Sequence, residues 1–315
     1  MLSYNELQYK QVVFCNCKES ELKLEMENLC KIDKKYIQKT NLNNLFALFI
    51  IGDYTITSKL LEKLHKYKVA IIFMKPSLKA TVRMIPNLTT DTQIRKKQYT
   101  QSEEDQLKIA QQLIWNKAEN QIRLLKKENH DVEDMLIWQE KIKTTTHYRE
   151  LLGVEGNLAK NFFERFYEPM GWTRREARTK PDIANLLLDI GYSFLFHFID
   201  AIITVYGFDP YYGVYHKPFY QRKSLICDLV EPFRCIVDRQ LLKSYNLGQI
   251  RESDFYVKKA TGQWNIRADQ VGKYCQIFSQ AIMDYKQEIF NYLVLYHLAF
   301  ENETKYLLPE FKMKR

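Results

Sequence analysis

The first residue that could carry chemistry is Glu155, which stands close to two glycines and immediately before a helix-like run at 157–168. A carboxylate beside residues as small as glycine can approach a ligand or a metal ion closely. An acid in the first turn of a helix can equally serve only to stabilise the helix dipole. Taken alone, this segment favours the second, structural interpretation.

The second candidate is His216, which ends a turn containing glycine and proline at residues 207–216. The turn connects a long predicted helix to the next element, and functional side chains concentrate in irregular loops of this kind. A loop histidine is nevertheless more often inert than a ligand, so the residue type alone decides nothing here.

The third candidate is the pair Asp228 and Glu231, which lies among the apolar residues Leu225, Ile226, Leu229, Val230 and Phe233. Residues three positions apart share one side of a helix, and two acids near apolar positions are costly unless they are paired or bound to metal. Two carboxylates ~4 Å apart repel by about 4 kcal/mol at an effective dielectric constant of about 20. A divalent cation removes this repulsion, and so does a salt bridge to Arg234, Arg222 or Arg239.

Carboxylates with one imidazole suit Mg²⁺ or Mn²⁺ better than structural Zn²⁺, which prefers cysteine and histidine. The chain has 47 Lys and Arg against 38 Asp and Glu, a formal net charge of +9. This charge is compatible with a polyanion-binding surface or with a merely soluble basic protein. A metal site on a basic protein suggests phosphodiester chemistry, in which the metal stabilises the transition state and activates a hydroxyl nucleophile.

The elements that must position these residues fall into two groups. Short apolar runs at 12–14, 45–51 and 69–74 predict buried strands, and the leucines of 57–64 predict a short amphipathic helix capped by Thr57 or Ser58. Beyond Ser102, apolar residues recur at helical spacing, and the predicted helices lie at about 131–149, 157–168, 181–206, 222–245 and 270–302. The prediction is an α+β multidomain protein, with a small N-terminal β-rich domain over 1–99 and a larger all-α catalytic domain over 100–315, joined near Asp91–Ser102.

Several other classes are excluded or disfavoured. No Cys-x-x-Cys pair occurs among the six cysteines, which argues against a zinc ribbon or a thioredoxin-like motif. The N-terminus has no apolar signal-peptide region, and the apolar runs are interpreted as far shorter than the ~20 residues of a membrane span. These features predict a cytoplasmic protein with reduced thiols.

The polar segments form part of an ordered series of motifs. The series comprises Ile50–Thr57, Glu155-Gly156 with Ala159 and Phe162-Phe163, Pro181–Tyr192, Gly207–His216 and Ser224–Arg234. In order and spacing this series closely resembles the universal CRISPR-associated spacer-acquisition integrases, over roughly residues 45–245.

The resemblance implies a site and a reaction. Glu155, His216 and Glu231 would be the ligands of Mg²⁺ or Mn²⁺, and Asp228 would line the same site and support metal or substrate. The reaction would be attack by a prespacer 3′-hydroxyl on a phosphodiester at the edge of a CRISPR repeat. The family also implies a homodimer that assembles with a small ferredoxin-like partner, CRISPR-associated protein two, into a heterohexameric complex on double-stranded prespacer DNA.

Two other functions stay open beside the integrase. A metal-dependent nuclease of branched or single-stranded nucleic acid would use the same site with water as nucleophile, and a non-catalytic DNA-binding scaffold would use the charged residues only as salt bridges. Tyr211, Tyr212 and Tyr215 are interpreted as packing or stacking residues, not as nucleophiles. The candidate DNA contacts form a basic cluster before residue 181, and they are Arg174, Arg175, Arg178 and Lys180. The CRISPR subtype and the prespacer length are not encoded in any of these motifs.

A homodimer built through the N-terminal domain is also expected from its small size. Strands as short as 45–51 and 69–74 would give a separate small domain only a limited core. Pairing two copies would bury more apolar surface.

Overall fold

The computed structural model of the protein describes residues 9–16, 20–33, 37–75, 80–86, 92–172, 174–302 and 308–314. The strands are β1 (Gln11–Asn16), β2 (Ser20–Glu25), β3 (Asn28–Asp33), β4 (Ile37–Asn41), β5 (Leu45–Ile51), β6 (Ala70–Met74), β7 (Ala80–Met84), β8 (Phe255–Val257) and β9 (Trp264–Ile266). The α-helices are α1 (Ser58–Lys66), α2 (Thr92–Tyr99), α3 (Glu103–Lys127), α4 (Glu133–Thr144), α5 (Tyr148–Phe166), α6 (Ile183–Val205), α7 (Ser224–Val230), α8 (Arg234–Asn246), α9 (Val271–Met283) and α10 (Lys286–Glu301). A β-rich N-terminal region is thus followed by a mostly helical one, as the sequence predicts.

The larger N-terminal sheet has the strand order β1-β5-β6-β7. Strands β1, β5 and β6 are parallel, and β7 is antiparallel to β6. Every residue of β5 is buried, which explains its unbroken apolar run, because a central parallel strand is covered on both faces. Helix α1 makes the crossover from β5 to β6, and Thr57 caps it by accepting a hydrogen bond from the Leu60 amide at 3.3 Å. The strands, the helix and its cap agree with the prediction.

The smaller sheet, β2-β3-β4, is antiparallel and was missed. Its strands mix polar and charged residues with apolar ones and contain no long apolar run. On the exposed face, Lys39 Nζ of β4 lies 2.7 Å from Glu25 Oε2 of β2, a surface ion pair that spans β3 and adds little stability.

The core is continuous between the N-terminal sheet and the helices. One face of the sheet packs against α1 and the β2-β3-β4 sheet, and the other face packs against the helical region. The rings of Phe49 and Phe194 lie 6.0 Å apart, as do those of Phe46 and Phe198. The N-terminal region therefore gains much of its core from the helices of the same chain, and a homodimer built through this region stays a prediction.

Helix α2, which the sequence division at 99/100 places with the N-terminal domain, makes its long-range contacts with the helical region. Arg95 Nε donates to the Gly207 carbonyl at 2.9 Å, and Gln98 Nε2 donates to the Asp209 carbonyl at 2.9 Å. Tyr99 donates its hydroxyl to the Asp209 carboxylate at 2.7 Å. By these contacts α2 belongs with the helices, and it anchors the turn that leads to His216.

Helix α6 is the central helix of the core. It is 23 residues long, and its most apolar window has a mean hydropathy of 1.7, so by length and composition it could cross a membrane. In the structure 83% of that window is buried inside the protein. Its uninterrupted apolar runs are short, as the sequence analysis states, because polar residues such as Asp189 and Asp200 divide them.

Two predicted helices are broken in the structure. The predicted helix over 222–245 is divided by the 3-10 turn Glu231–Phe233, where Pro232 lacks the amide hydrogen that a continuous helix needs. The predicted helix over 270–302 is divided at Asp284 and Tyr285 into α9 and α10. The first break matters for function, because it places Glu231 at the junction of α7 and α8.

Candidate active site

Glu155 lies in the middle of α5 and not at a helix start, so the first-turn interpretation was wrong. The apolar residues Leu151, Val154, Leu158 and Phe162 bury one face of this helix. Glu155 lies at the margin of that face, with 21% of its side chain exposed. The two glycines on either side of it have open space where a side chain would project, so the surface around the carboxylate is uncrowded.

The His216 loop packs closely on the start of α7. A Cβ added to Gly213 would lie 2.6 Å from the Ser224 carbonyl carbon and 2.7 Å from Asp228 Oδ2. Any larger residue would push the loop away from the helix. The loop conformation agrees with the prediction, and Gly213 is the residue that lets it approach.

The Asp228 side chain, on α7, holds this loop through hydrogen bonds to its carboxylate. Its Oδ2 accepts hydrogen bonds from the amides of Val214 and Tyr215 at 2.6 and 3.1 Å. Its Oδ1 accepts from the His216 amide and from His216 Nδ1, both at 2.8 Å. Because a carboxylate only accepts, Nδ1 carries the proton in this contact, and in the neutral imidazole Nε2 is then the nitrogen with the lone pair. Asp228 thus orients the imidazole in the way that carboxylates orient metal-binding histidines.

Asp228 is fully buried. Burial raises the pKa of its carboxyl, and the hydrogen bonds from His216 and Val214 oppose that shift. Asp228 supports the loop and the imidazole of His216, and its predicted role toward metal or substrate stays a prediction.

Glu231 is almost completely buried at the turn between α7 and α8. Its Oε1 lies 2.9 Å from the Arg234 guanidinium, and its Oε2 lies 2.8 Å from Lys117 Nζ. Burial would raise the pKa of Glu231, but the adjacent Arg234 and Lys117 cations lower it to about 2. Glu231 is therefore ionised at neutral pH, and Arg234 is the salt-bridge partner that the sequence offered as an alternative to metal.

Lys117 is the site residue that the sequence analysis missed. It lies on α3, with only 10% of its side chain exposed, and its Nζ is 2.5 Å from Glu155 Oε1 as well as 2.8 Å from Glu231 Oε2. Burial alone would lower the pKa of Lys117, but the two carboxylates raise it above its ordinary value. One sequence feature could have identified it. Lys117 lies on the same face of α3 as the apolar Leu113 and Leu124, where a charged residue is expected to have a buried partner.

Two asparagines on the same helix hold the C-terminal segment beside the site. Asn116 exchanges two hydrogen bonds with the backbone of Phe311, at 2.7 and 2.8 Å. Asn120 accepts from the Met313 amide at 2.8 Å. The Phe311 ring then packs against Phe233, with centroids 4.7 Å apart, and so supports the turn that carries Glu231.

The two predicted carboxylate ligands converge on one cation, which is the Lys117 ammonium. Among the residues that the structure describes, no three His, Cys, Asp or Glu side chains are grouped closely enough to hold a metal ion. His216 is near enough to Glu231 to lower the pKa of that carboxyl. The ammonium shows that the carboxylate pair accommodates a cation, and oxygen donors of this kind suit Mg²⁺ or Mn²⁺. Joint ligation by Glu155, His216 and Glu231 stays a prediction.

Tyr215 completes the surroundings of the carboxylates. Its hydroxyl is buried and has no hydrogen-bond partner within the described part of the chain. Burial, together with the nearby Glu155 and Glu231, raises the pKa of this phenol well above its usual range. Tyr215 is therefore a poor nucleophile at neutral pH, and the packing or stacking roles of Tyr211 and Tyr212 stay predictions.

The four residues of the candidate DNA-binding cluster differ in whether their side chains are bonded inside the protein or exposed. Arg175 is engaged internally, because it donates to Asn185 Oδ1 at 2.8 Å and pairs with Asp189. Arg174 is exposed and pairs with the neighbouring Glu176. Arg178 is also exposed, and Lys180 is half-buried. Contact with DNA stays a prediction, and Arg174 and Arg178 are the members best placed for it.

The sequence matches the family described as CRISPR associated protein Cas1 over residues 14–279. A CRISPR-associated endonuclease Cas1 from Thermodesulfovibrio yellowstonii is 27% identical over 287 residues, covering 85% of this chain and 90% of the relative. A CRISPR-associated endonuclease Cas1 from Thermotoga maritima is 23% identical over 246 residues, covering 74% of this chain and 76% of the relative.

Solved structures share the fold. A Cas1 protein from Thermotoga maritima gives a TM-score of 0.79 at 20% identity, covering 97% of this chain and 100% of that one. A casposase bound to integration product gives a TM-score of 0.81 at 21% identity, covering 97% of this chain and 95% of that one. A chain of a Cas6-RT-Cas1–Cas2 complex gives a TM-score of 0.78 at 22% identity. The match covers 97% of this chain and 36% of that one. The resemblance found in the motifs is confirmed, and the chain belongs to the Cas1 family of CRISPR-associated proteins.

Proposed function

We propose that this protein is a metal-dependent DNA integrase of CRISPR adaptation, which joins prespacer 3′-hydroxyl ends to the CRISPR repeat by transesterification. One observation carries the proposal. Glu155 and Glu231, from separate elements, meet at a single cation, beside a histidine whose Nδ1 is held by Asp228. The relatives named as endonucleases and the structural neighbour bound to integration product support the same chemistry.

A bound Mg²⁺ or Mn²⁺ would stabilise the charge that develops at phosphorus and lower the pKa of an attacking hydroxyl. Glu155 and Glu231 would hold the ion through their carboxylate oxygens, and His216 would contribute Nε2. Asp228 keeps the proton on Nδ1 and the imidazole in place. Arg234 binds the second oxygen of Glu231 and fixes that carboxylate.

The nucleophile in this proposal is the 3′-hydroxyl of the prespacer. Tyr215 is buried and its phenol pKa is raised, so a protein–DNA covalent intermediate is not expected from it. Direct attack exchanges one phosphodiester for another, and the reaction therefore needs no ATP. Positioning of the two DNA ends supplies much of the rate.

A nuclease is the second candidate, because water at the same site would hydrolyse branched or single-stranded nucleic acid, and the relatives carry the name endonuclease.

The scaffold alternative is favoured by a different observation. Lys117 and Arg234 together balance the charges of Glu155 and Glu231, so the network is stable without metal. A scaffold would need no divalent ion, and metal dependence separates it from both enzymes.

The assembly follows from the same proposal. The protein would act in the cytoplasm as a homodimer, joined with CRISPR-associated protein two into a heterohexamer that binds double-stranded prespacer DNA and repeat DNA. The solved Cas6-RT-Cas1–Cas2 complex supports the choice of partner. Exposed apolar residues of the N-terminal sheets, such as Met26, Ile37 and Val82, offer surface for association.

The deciding experiment is an integration assay with purified partner protein, a repeat-bearing plasmid and prespacer duplexes that end in 3′-hydroxyl, 3′-dideoxy or 3′-phosphate. Only the hydroxyl duplex should give joined product, and only with Mg²⁺ or Mn²⁺. Joining by the dideoxy duplex, or a protein–DNA adduct on a denaturing gel, would overturn the mechanism. Hydrolysis without joining would favour the nuclease.

A further inference from the structure

Lys117 lies where a metal ion would share the two carboxylates. Its Nζ is 2.5 Å from Glu155 Oε1 and 2.8 Å from Glu231 Oε2. All three side chains are mostly shielded from water, with exposures of 10%, 21% and 3% for Lys117, Glu155 and Glu231. A buried carboxylate pair is costly without a counter-ion, and the ammonium provides the positive charge that holds the two acids together.

The charges leave no place for a second cation while Lys117 stays. Glu155 and Glu231 carry two negative charges, and Lys117 and Arg234 balance them. A divalent ion added to this network would be repelled by the ammonium at short range in a poorly hydrated site. One of the two basic side chains must therefore move before metal can bind both acids.

Lys117 is the side chain that can move. Arg234 binds Glu231 Oε1, and its guanidinium lies over the ring of Tyr192 at 4.7 Å, so it is held on two sides. Lysine carries a compact charge on a flexible stem and gives up a contact more readily than a stacked guanidinium. Glu155, the partner of Lys117, is also the more exposed of the two acids.

Two further buried atoms near the acids could serve a hydrated cation. Among the residues that the structure describes, Glu231 Oε2 has no hydrogen bond of acceptable geometry, although it lies 2.8 Å from Lys117 Nζ. The Tyr215 hydroxyl, buried near the same carboxylates, has no partner among those residues either. Buried polar groups are rarely left unsatisfied, and a hydrated cation between the acids would offer partners to both atoms.

We propose that Lys117 is a resident counter-ion that a divalent metal displaces. In the metal-free protein its ammonium bridges Glu155 and Glu231, and when metal binds it withdraws from both carboxylates. Lys117 then keeps the empty site folded and weakens its affinity for metal. This inference rests on the proposed function, since it takes the carboxylate pair to be the metal site.

The test compares wild-type protein with Lys117→Met, both stripped of metal, by measuring free Mn²⁺ with electron paramagnetic resonance during a titration. Without the competing charge, Lys117→Met should bind Mn²⁺ at least about tenfold more tightly. In chelator its thermal midpoint should fall below that of the wild type, because the acids repel each other, and Mn²⁺ should raise it by a larger interval.

Lys223→Met is the matched control. Lys223 is a buried lysine that pairs with the single acid Asp200 at 2.6 Å. Its loss should lower the thermal midpoint without tightening Mn²⁺ binding, because one carboxylate does not form a site.

A second measurement avoids variants altogether. The Lys117 ammonium signal in a nitrogen-15 spectrum of the wild type should be protected from exchange without metal and lose that protection with Mg²⁺.

The outcomes separate the two proposals. Unchanged or weaker Mn²⁺ binding by Lys117→Met, or a Lys117 signal that stays protected in Mg²⁺, would overturn displacement and leave the metal site standing. If neither wild type nor Lys117→Met binds Mn²⁺, or if Glu155→Gln binds it as well as the wild type, the metal site itself fails. If Lys117→Met does not fold, the wild-type spectrum decides alone.

Discussion

His216 donates two hydrogen bonds to the same oxygen of Asp228, one from its backbone amide and one from its imidazole Nδ1, each 2.8 Å long. The same carboxylate therefore sets both the path of the loop and the orientation of the ring. Rotation of the imidazole would break a contact that also holds the backbone, so the position of Nε2 is coupled to the fold.

Replacing Asp228 with Asn should weaken its hold on the loop backbone and on the His216 imidazole. The amide cannot accept from all four donors, and leaving buried donors unsatisfied should lower the free energy of unfolding by about 2–4 kcal/mol. Loss of the orienting partner should slow strand transfer by about 10–100-fold. Urea unfolding and a joining assay on folded protein measure the two effects.

The matched control for that change is Asp238→Asn. Asp238 is equally buried and accepts hydrogen bonds from Tyr192 and Tyr167 at 2.6 and 3.0 Å. It should lose stability while its joining rate per folded molecule stays near that of the wild type. Equal losses of joining rate in the two variants would show that Asp228 has no special role.

The two acids should respond differently to neutral replacement. Glu231→Gln removes the charge that the buried Lys117 and the half-buried Arg234 share, and it should cost about 3–5 kcal/mol of stability. Glu155→Gln leaves Lys117 paired with Glu231, and because Glu155 is partly exposed the cost should stay below about 1 kcal/mol. Both should abolish strand transfer and leave most DNA binding intact. Near wild-type joining by Glu155→Gln, in an assay with matched protein concentrations, would contradict the site.

Asp238 should make stability depend on pH in mildly acidic solution. Burial raises its pKa to about 6, although hydrogen bonds from Tyr192 and Tyr167 act in the opposite direction. The folded protein therefore holds this proton more tightly than the unfolded chain. The resulting stabilisation is complete below about pH 4, decreases as the pH rises and is lost above about pH 6.

The measurement is urea unfolding of wild type and Asp238→Asn between about pH 4 and pH 6.5. The difference in unfolding free energy between the two should change by up to about 3 kcal/mol over this range, with the wild type losing relative stability as the pH rises. A constant difference would show that Asp238 titrates normally.

DNA affinity should fall steeply with salt, because phosphate contacts release counter-ions. If Arg174 and Arg178 each bind a phosphate, replacing both with Ala should reduce the slope of log affinity against log salt by about 2. Arg175→Ala should instead lower stability, because its guanidinium is bonded to Asn185 and Asp189. Fluorescence anisotropy at several salt concentrations measures the slope, and an unchanged slope would place the DNA path elsewhere.

Much of the fold could be predicted because its central elements have simple patterns. The apolar run of β5, the Thr57 cap and the His216 loop all lie where the sequence places them. Strands β2–β4 were missed because polar and charged residues interrupt their apolar ones, so that no buried-strand run marks them in the sequence. The position of Glu155 within α5 was missed because nearby glycines resemble a helix boundary, although open space on that helix face tolerates them.

The site itself was only partly visible in the sequence. The Glu231–Arg234 pair could be predicted, since the residues are three positions apart. Lys117 could not be linked to Glu155 or Glu231, because pairing across separate helices depends on packing that a single sequence does not show. The role of Asp228 was hidden for a related reason, since three of its four donors are backbone amides that any residue types would supply.

The continuous core between the N-terminal sheet and α6 limits how the protein can be dissected. A cut near residue 91 would strip Phe46 and Phe49 of their contacts with Phe194 and Phe198 and leave a broad apolar face on each fragment. Neither half would then remain soluble as an independent unit. Exchange of the N-terminal region between relatives would succeed only if the aromatic residues of both faces were exchanged together.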